Sequence, residues 1–124
     1  MELSKNTDMS VHEQFRHLIS ALSERLMAMQ SIEKGFSEDV ALPDNGEWFA
    51  RAVSLSIHRN IKNEGKAYLC MNLLHPHCMC NASTRLSYGN KSELLAFLSD
   101  KDCVENMIDK AKKTDKKFKE WDEE

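Results

Sequence analysis

The fold predicted for this chain depends on two neighbouring segments, Ala67-Tyr68-Leu69-Cys70-Met71-Asn72-Leu73-Leu74 and Cys78-Met79-Cys80-Asn81-Ala82-Ser83-Thr84-Arg85-Leu86-Ser87-Tyr88. Both have the length and apolar content of strands, and the second alternates apolar with polar residues. Only His75-Pro76-His77 separates them, and antiparallel neighbours are the strands that such a short connection can join. The two segments therefore predict a β-hairpin.

The register of this hairpin decides which of its side chains enter a core. If His75 and Pro76 form the centre of the loop, one face is entirely apolar, with Leu69, Met71, Leu73, Cys78, Cys80 and Ala82. The other face is mixed, with Tyr68, Cys70, Asn72, Leu74, His77, Met79, Asn81 and Ser83. Because free cysteine behaves as a small buried hydrophobe, we interpret Cys78 and Cys80 as core residues.

Helical periodicity surrounds the hairpin and predicts helices over residues 9–33, 47–63, 91–98 and 101–119. The second of these is assigned from its apolar positions, Trp48, Phe49, Ala52, Val53, Leu55, Ile57 and Ile61. The predicted class is α+β with the order α-α-β-β-α-α. A lone hairpin is marginal in water, so we expect it to pack on the helices. A short strand near residues 36–43, or dimerisation, would extend it.

Composition indicates one ordinary globular domain. The chain has 124 residues, of which 41% are hydrophobic and 30% charged, with a net charge of −3. We expect a flexible N-terminus at residues 1–8, a single domain at 9–121 and an acidic tail at 122–124. Residues 1–10 show no secretory signal pattern, and no apolar run is long enough for a membrane span. We therefore expect a cytoplasmic protein with reduced thiols, unless a leader has been removed.

One local concentration of metal-ligating residues comprises Cys70, His75, His77, Cys78 and Cys80. Thiolates and imidazoles are the usual ligands of zinc, so a zinc-binding domain is the alternative function. A shifted register that pairs Cys70 with Cys80 would permit a metal site or a disulfide, but it would bury Asn72 beside them. The single residue between Cys78 and Cys80 is shorter than the usual spacing of structural zinc ligands. We therefore favour a structural role.

Other catalytic patterns are missing from the sequence. The glycines at 35, 46, 65 and 89 are isolated, so they do not form a phosphate-binding loop. No serine lies in a nucleophile elbow. Cys103, at the start of the last predicted helix, is interpreted as packing beside Met107. The charge pattern does not favour nucleic acid, because a mildly basic middle lies between acidic flanks.

These observations favour a small cytoplasmic, non-enzymatic protein-binding or regulatory module without a cofactor. A homodimer through the unpaired hairpin edge is one expected form of association. No membrane or nucleic-acid partner is expected. The surface predicted to meet a protein partner consists of Tyr68, Asn72, Met79 and Trp121.

Overall fold

The structure is a computed structural model that describes residues 10–30, 32, 34–63 and 65–123. Within those ranges it contains helices on one side of a four-stranded antiparallel sheet with the strand order β1-β2-β3-β4. The elements are, in chain order, α1 (Val11–Ala28), β1 (Phe36–Ala41), β2 (Ala52–Arg59), β3 (Lys66–Leu74), β4 (Asn81–Asn90), α2 (Lys91–Ser99) and α3 (Cys103–Glu123). The N-terminal segment predicted to be flexible, residues 1–8, lies outside the described residues.

The predicted order α-α-β-β-α-α is wrong, because the observed order is α-β-β-β-β-α-α. The segment predicted as a helix over 47–63 contains β2 instead. Val53, Leu55 and Ile57 alternate with Ser54 and Ser56, which is the period of a strand. All three apolar side chains are buried against the helices. The helical interpretation relied on distant positions such as Ile61, whose side chain is 83% exposed in the following loop.

The predicted two-stranded hairpin is too small, because β3 pairs with β2 as well as with β4. A strand does occur within residues 36–43, and this strand, β1, pairs antiparallel with β2. The edges of the sheet are therefore β1 and β4. The β1 edge is partly covered by α1, since Arg25 donates to the Ser37 carbonyl at 3.1 Å and Gln14 donates to the Ala41 carbonyl at 2.8 Å.

The hairpin register also differs from the prediction. Leu73 pairs with Ala82 rather than Cys78, and the turn occupies residues 75–80. The Cys80 carbonyl closes this turn by accepting a hydrogen bond from the His75 N–H at 3.0 Å. Cys78 and Cys80 consequently lie outside the strands and are exposed, so their assignment to the core is wrong. The longer turn moves the start of β4 beyond both cysteines.

The core lies between the sheet and the helices. From β3 it receives Leu69, Met71 and Leu73, which are at most 1% exposed. The helices contribute Phe15, Leu18, Leu22 and Leu26 from α1, Leu94 and Leu98 from α2, and Met107, Ala111 and Phe118 from α3. No helix in the described ranges is long and apolar enough to cross a membrane.

Candidate binding surface on the open face of the sheet

The second face of the sheet has no helix packed against it in the described part of the chain, and we call it the open face. Along β3 its residues are half-buried, whereas the residues between them are fully buried. Its cross-strand rows are Ala41–Ala52–Leu74–Asn81, Asp39–Ser54–Asn72–Ser83, Ser37–Ser56–Cys70–Arg85 and, beyond the end of β1, His58–Tyr68–Tyr88. Most of these residues are polar, aromatic or small.

A chain of hydrogen bonds crosses the middle of the open face. Ser83 donates from Oγ to the Asn72 side-chain carbonyl at 2.5 Å, and the Asn72 amide donates to Ser56 Oγ at 3.0 Å. Ser56 Oγ also lies 2.8 Å from His58 Nε2. The chain links β4, β3 and β2 through their side chains. Because the Asn72 amide is held at both ends, the face presents its polar groups in a fixed arrangement.

One end of the open face carries a stack of cations and rings, which we call the tyrosine–arginine cluster. The Arg85 guanidinium lies 4.2 Å from the Tyr68 ring centroid, and the Tyr68 and Tyr88 centroids are 4.6 Å apart. Lys66 Nζ lies 5.8 Å from the Tyr88 centroid. Asn60 Nδ2 donates to the Tyr88 hydroxyl at 2.9 Å, which places the cluster beside the β2–β3 loop.

The cations of this cluster have no anionic partner in the described residues. Neither the Arg85 guanidinium nor the Lys66 ammonium makes a hydrogen bond or an ion pair there. The Cys70 thiol lies in the same cross-strand row as Arg85. Burial raises the pKa of Cys70, and the nearby positive charge of Arg85 partly offsets that rise. The five N–H donors of Arg85 are therefore positioned by stacking and remain available to a ligand.

The structure divides the predicted partner surface between two regions. Tyr68 and Asn72 lie on the open face. Met79 is 94% exposed at the β3–β4 turn, and Trp121 is 65% exposed near the end of α3. The sequence prediction missed Arg85 and Tyr88 as neighbours of Tyr68. Reading residues 52–59 as a strand and lengthening the hairpin turn would have placed them together.

The residues predicted as an alternative metal site are spread over different environments. Cys70 is on the open face, and Cys78 and Cys80 are exposed at the turn. A hydrogen bond with Cys78 is the main cause of the raised pKa of Cys80. His75 is only 7% exposed and packs against the Phe118 ring. Within the described residues, no group of three or more His, Cys, Asp or Glu side chains is placed to hold a metal ion.

A histidine–carboxylate pair joins the β3–β4 turn to α3. His75 Nε2 lies 2.7 Å from Asp122 Oδ1, and His75 Nδ1 accepts from the His77 backbone N–H at 3.0 Å. The second bond requires Nδ1 to be unprotonated, so Nε2 carries the proton and donates it to the carboxylate. Both ring nitrogens are then occupied, and neither is available as a general base. The pair anchors the end of α3.

A cleft of about 740 Å³ lies between α3 and the loop before β2. Lys112, Lys116 and Lys119 line one wall, and Asp44 and Glu47 are also among its lining residues. Asp115 orders the loop by accepting hydrogen bonds from the backbone N–H groups of Phe49 at 2.9 Å and Ala50 at 2.8 Å. The cleft walls carry both charge signs, whereas the tyrosine–arginine cluster carries two cations that have no anionic partner among the described residues.

Comparison of this chain with family models, with curated proteins and with solved structures finds no match. Only the chain's own side chains therefore bear on its function. The open face combines accessible side chains, polar groups held by hydrogen bonds, and cations that have no anionic partner among the described residues.

Proposed function

We propose that this chain is a small cytoplasmic, non-enzymatic protein-binding or regulatory module that meets its partner through the open face. The observation that carries the proposal is the exposed Arg85 guanidinium, stacked on Tyr68 with its hydrogen-bond donors unused among the described residues. Arginine and tyrosine are the side chains that most often dominate protein–protein binding energies.

The fixed geometry of the face supports this function. Ordering flexible side chains on binding costs about 0.5–1.5 kcal/mol for each side chain. The stack on Tyr68 and the hydrogen bonds of Asn72 already restrict Arg85, Tyr68 and Asn72 before any partner arrives. A partner therefore meets a surface on which less conformational entropy remains to be lost.

The same cluster favours a protein partner over a single-stranded nucleic acid. Nucleic-acid stacking platforms present open aromatic faces to the bases. Here Tyr68 stacks with both Arg85 and Tyr88, and Lys66 lies over the Tyr88 ring. The chain's net charge of −3 also disfavours the multiple phosphate contacts that such binding needs.

A homodimer through the hairpin, expected from the sequence, would have to use β4, because β3 is paired on both sides. The open face offers charged and aromatic side chains, whereas the β4 edge offers mainly backbone hydrogen-bonding groups. We therefore favour the face over the edge as the main binding surface.

Site-specific photo-crosslinking in the source cells tests the proposal. A photoreactive residue replaces Asn81, which is exposed on the open face, and in a matched control it replaces Glu24, which is exposed on α1. We expect a discrete protein adduct from position 81 and none from position 24, followed by binding of the purified adduct partner. Equal adducts at both positions, or none at position 81, would contradict the proposal.

A further inference from the structure

Cys78 and Cys80 form a pair of exposed thiols in the β3–β4 turn. In a strand, where the sequence predicts them, their Cα atoms would be about 6.8 Å apart, which is the upper limit for a disulfide. In the structure the chain bends at these residues instead, and Cys78 Sγ accepts a hydrogen bond from the Cys80 backbone N–H at 3.4 Å. The sulfur of Cys78 is therefore folded back towards Cys80.

The two thiols also share a hydrogen bond of their own. This bond is the main cause of the raised pKa of Cys80, so Cys80 keeps its proton and donates it to Cys78 Sγ. Two donors of Cys80, the thiol and the backbone N–H, therefore meet at one sulfur. A cysteine attacks as its thiolate, and donors that point at a sulfur favour that charged form. Cys78 is therefore the sulfur placed to attack first.

The contacts that hold the turn do not involve either sulfur. The Cys80 carbonyl accepts from the His75 N–H at 3.0 Å, and the His75 carbonyl accepts from Arg51 Nε at 3.0 Å. The His75 ring is held by Asp122 and by the His77 backbone N–H. A bond between the two thiols can therefore form within the turn while β3 and β4 keep their register.

The other two cysteines are not partners for this pair. Cys103 is only 3% exposed and lies in the core. Cys70 lies four residues before the end of β3, so about 14 Å of extended strand separates it from the turn. The Cα atoms of a disulfide lie less than about 7 Å apart. Oxidation at the turn is therefore confined to Cys78 and Cys80.

We propose that Cys78 and Cys80 form a reversible disulfide by exchange with a small-molecule disulfide of the glutathione class. The Cys78 thiolate attacks one sulfur of that molecule, breaks its S–S bond and releases one thiolate, which leaves a mixed disulfide. Cys80 then loses its proton to solvent, attacks the Cys78 sulfur and releases the second thiolate. The protein gives up two electrons and two protons, and the small molecule is reduced to two thiols.

The same exchange runs in reverse when the small-molecule thiol is in excess. Exposed disulfides are the readily reduced ones. The dithiol is therefore the form expected in a reducing compartment, and the disulfide forms when the oxidised small molecule accumulates. Because the pair lies in the turn and outside the open face, this inference goes beyond the proposed function and does not rest on it.

Reaction of the reduced full-length chain with oxidised glutathione tests the inference. The remaining thiols are alkylated at intervals, and each cysteine is identified by fragment mass spectrometry. We expect a bond between Cys78 and Cys80 with no glutathione left on either, and an excess of reduced glutathione should restore both thiols. In Cys80→Ser the reaction should stop with glutathione on Cys78. Its release should be at least about tenfold slower than in the unaltered chain, because the neighbouring attacking sulfur is missing.

Cys70→Ser is the matched control and should form the same disulfide at the same rate. Met79→Ala keeps both thiols and their spacing and should also form it, and circular dichroism shows whether each variant is folded. Thiols at Cys78 and Cys80 that do not react overturn the inference, as does glutathione that leaves the unaltered chain as slowly as it leaves Cys80→Ser. A disulfide that joins either cysteine to Cys70 or to a second chain also overturns it.

Discussion

The two faces of the sheet differ although they are built from the same strands. Along β3, the side chains of Leu69, Met71 and Leu73 point into the core, and those of Tyr68 and Asn72 alternate with them on the open face. One face excludes water almost completely, whereas the other keeps hydrogen-bonding and charged groups accessible. The comparison indicates that stability depends mainly on the covered face, and we propose that recognition depends on the open face.

The largest expected effect is the difference in stability loss when one side chain on each face is truncated. Leu69→Ala should lower the free energy of unfolding by about 2–5 kcal/mol, because it removes buried contacts and leaves a cavity. Asn72→Ala, on the opposite face of the same strand, should cost only about 1 kcal/mol, the net value of a hydrogen bond. Urea denaturation measures both. Equal losses would remove the distinction between the faces.

The next largest loss of stability is expected from removing the buried carboxylate of Asp115 in α3. Asp115→Ala should cost about 2–3 kcal/mol, since it removes charge-assisted hydrogen bonds and leaves two backbone donors without their acceptor. Those donors belong to Phe49 and Ala50, which precede β2. Asp109→Ala, on the exposed side of the same helix, is the control and should have little effect. Equal changes in the denaturation midpoints of the two variants would show that the hydrogen bonds from Phe49 and Ala50 to Asp115 contribute little to stability.

The folding stability of the protein should also decrease at alkaline pH because Cys103 is buried on the covered side. Burial raises the pKa of this thiol from 9.0 to about 11. The folded state holds the Cys103 proton more tightly than the unfolded state does. The contribution of the protonated thiol to the free energy of unfolding is therefore complete below pH 9 and is lost as the pH rises towards 11. Denaturation of Cys103→Ala over the same pH range should show a shallower decline. Parallel curves would contradict a buried, neutral thiol.

The smallest effect on stability is expected on the open face. Arg85→Gln should change the free energy of unfolding by only about 0.5–1 kcal/mol, the value of an exposed cation–π contact. The same change should weaken binding of the partner that crosslinks to position 81 by at least about tenfold. Thermal denaturation measures the stability, and titration of the purified partner measures the binding. A variant that loses stability but keeps its binding would assign Arg85 to the fold instead.

Helical periodicity predicted α1, α2 and α3, but it also predicted a helix at residues 47–63, where the structure has β2. The stripe from Phe15 to Leu26 has a clear helical period, and α1 lies there. Residues 52–59 are short and apolar enough to fit either period, and only pairing with β1 and β3 makes them a strand. The turn at residues 75–80 could not be sized from propensity alone, so the partners of each hairpin residue were misplaced.

The same two errors limited what could be predicted of the binding surface. Tyr68 and Asn72 could be assigned to the polar face of β3 because a strand alternates. Their neighbours Ser56, His58 and Arg85 come from segments whose strand or register was wrong, so neither the polar chain nor the cluster could be assembled from sequence. Side chains that meet across strands depend on register, which sequence periodicity specifies only when the turn is known.

Alkylation of individual cysteines tests the central claim, that the open face is the binding surface, most directly. Cys70 lies on that face, Cys78 is exposed at the turn and Cys103 is buried. The rate at Cys70, normalised to Cys78 and measured by mass spectrometry, is compared between dilute purified protein and intact source cells. We expect Cys70 to react at least about tenfold more slowly in cells, corresponding to about 1.4 kcal/mol of protection. An unchanged normalised rate would show that the open face stays uncovered and would contradict the account.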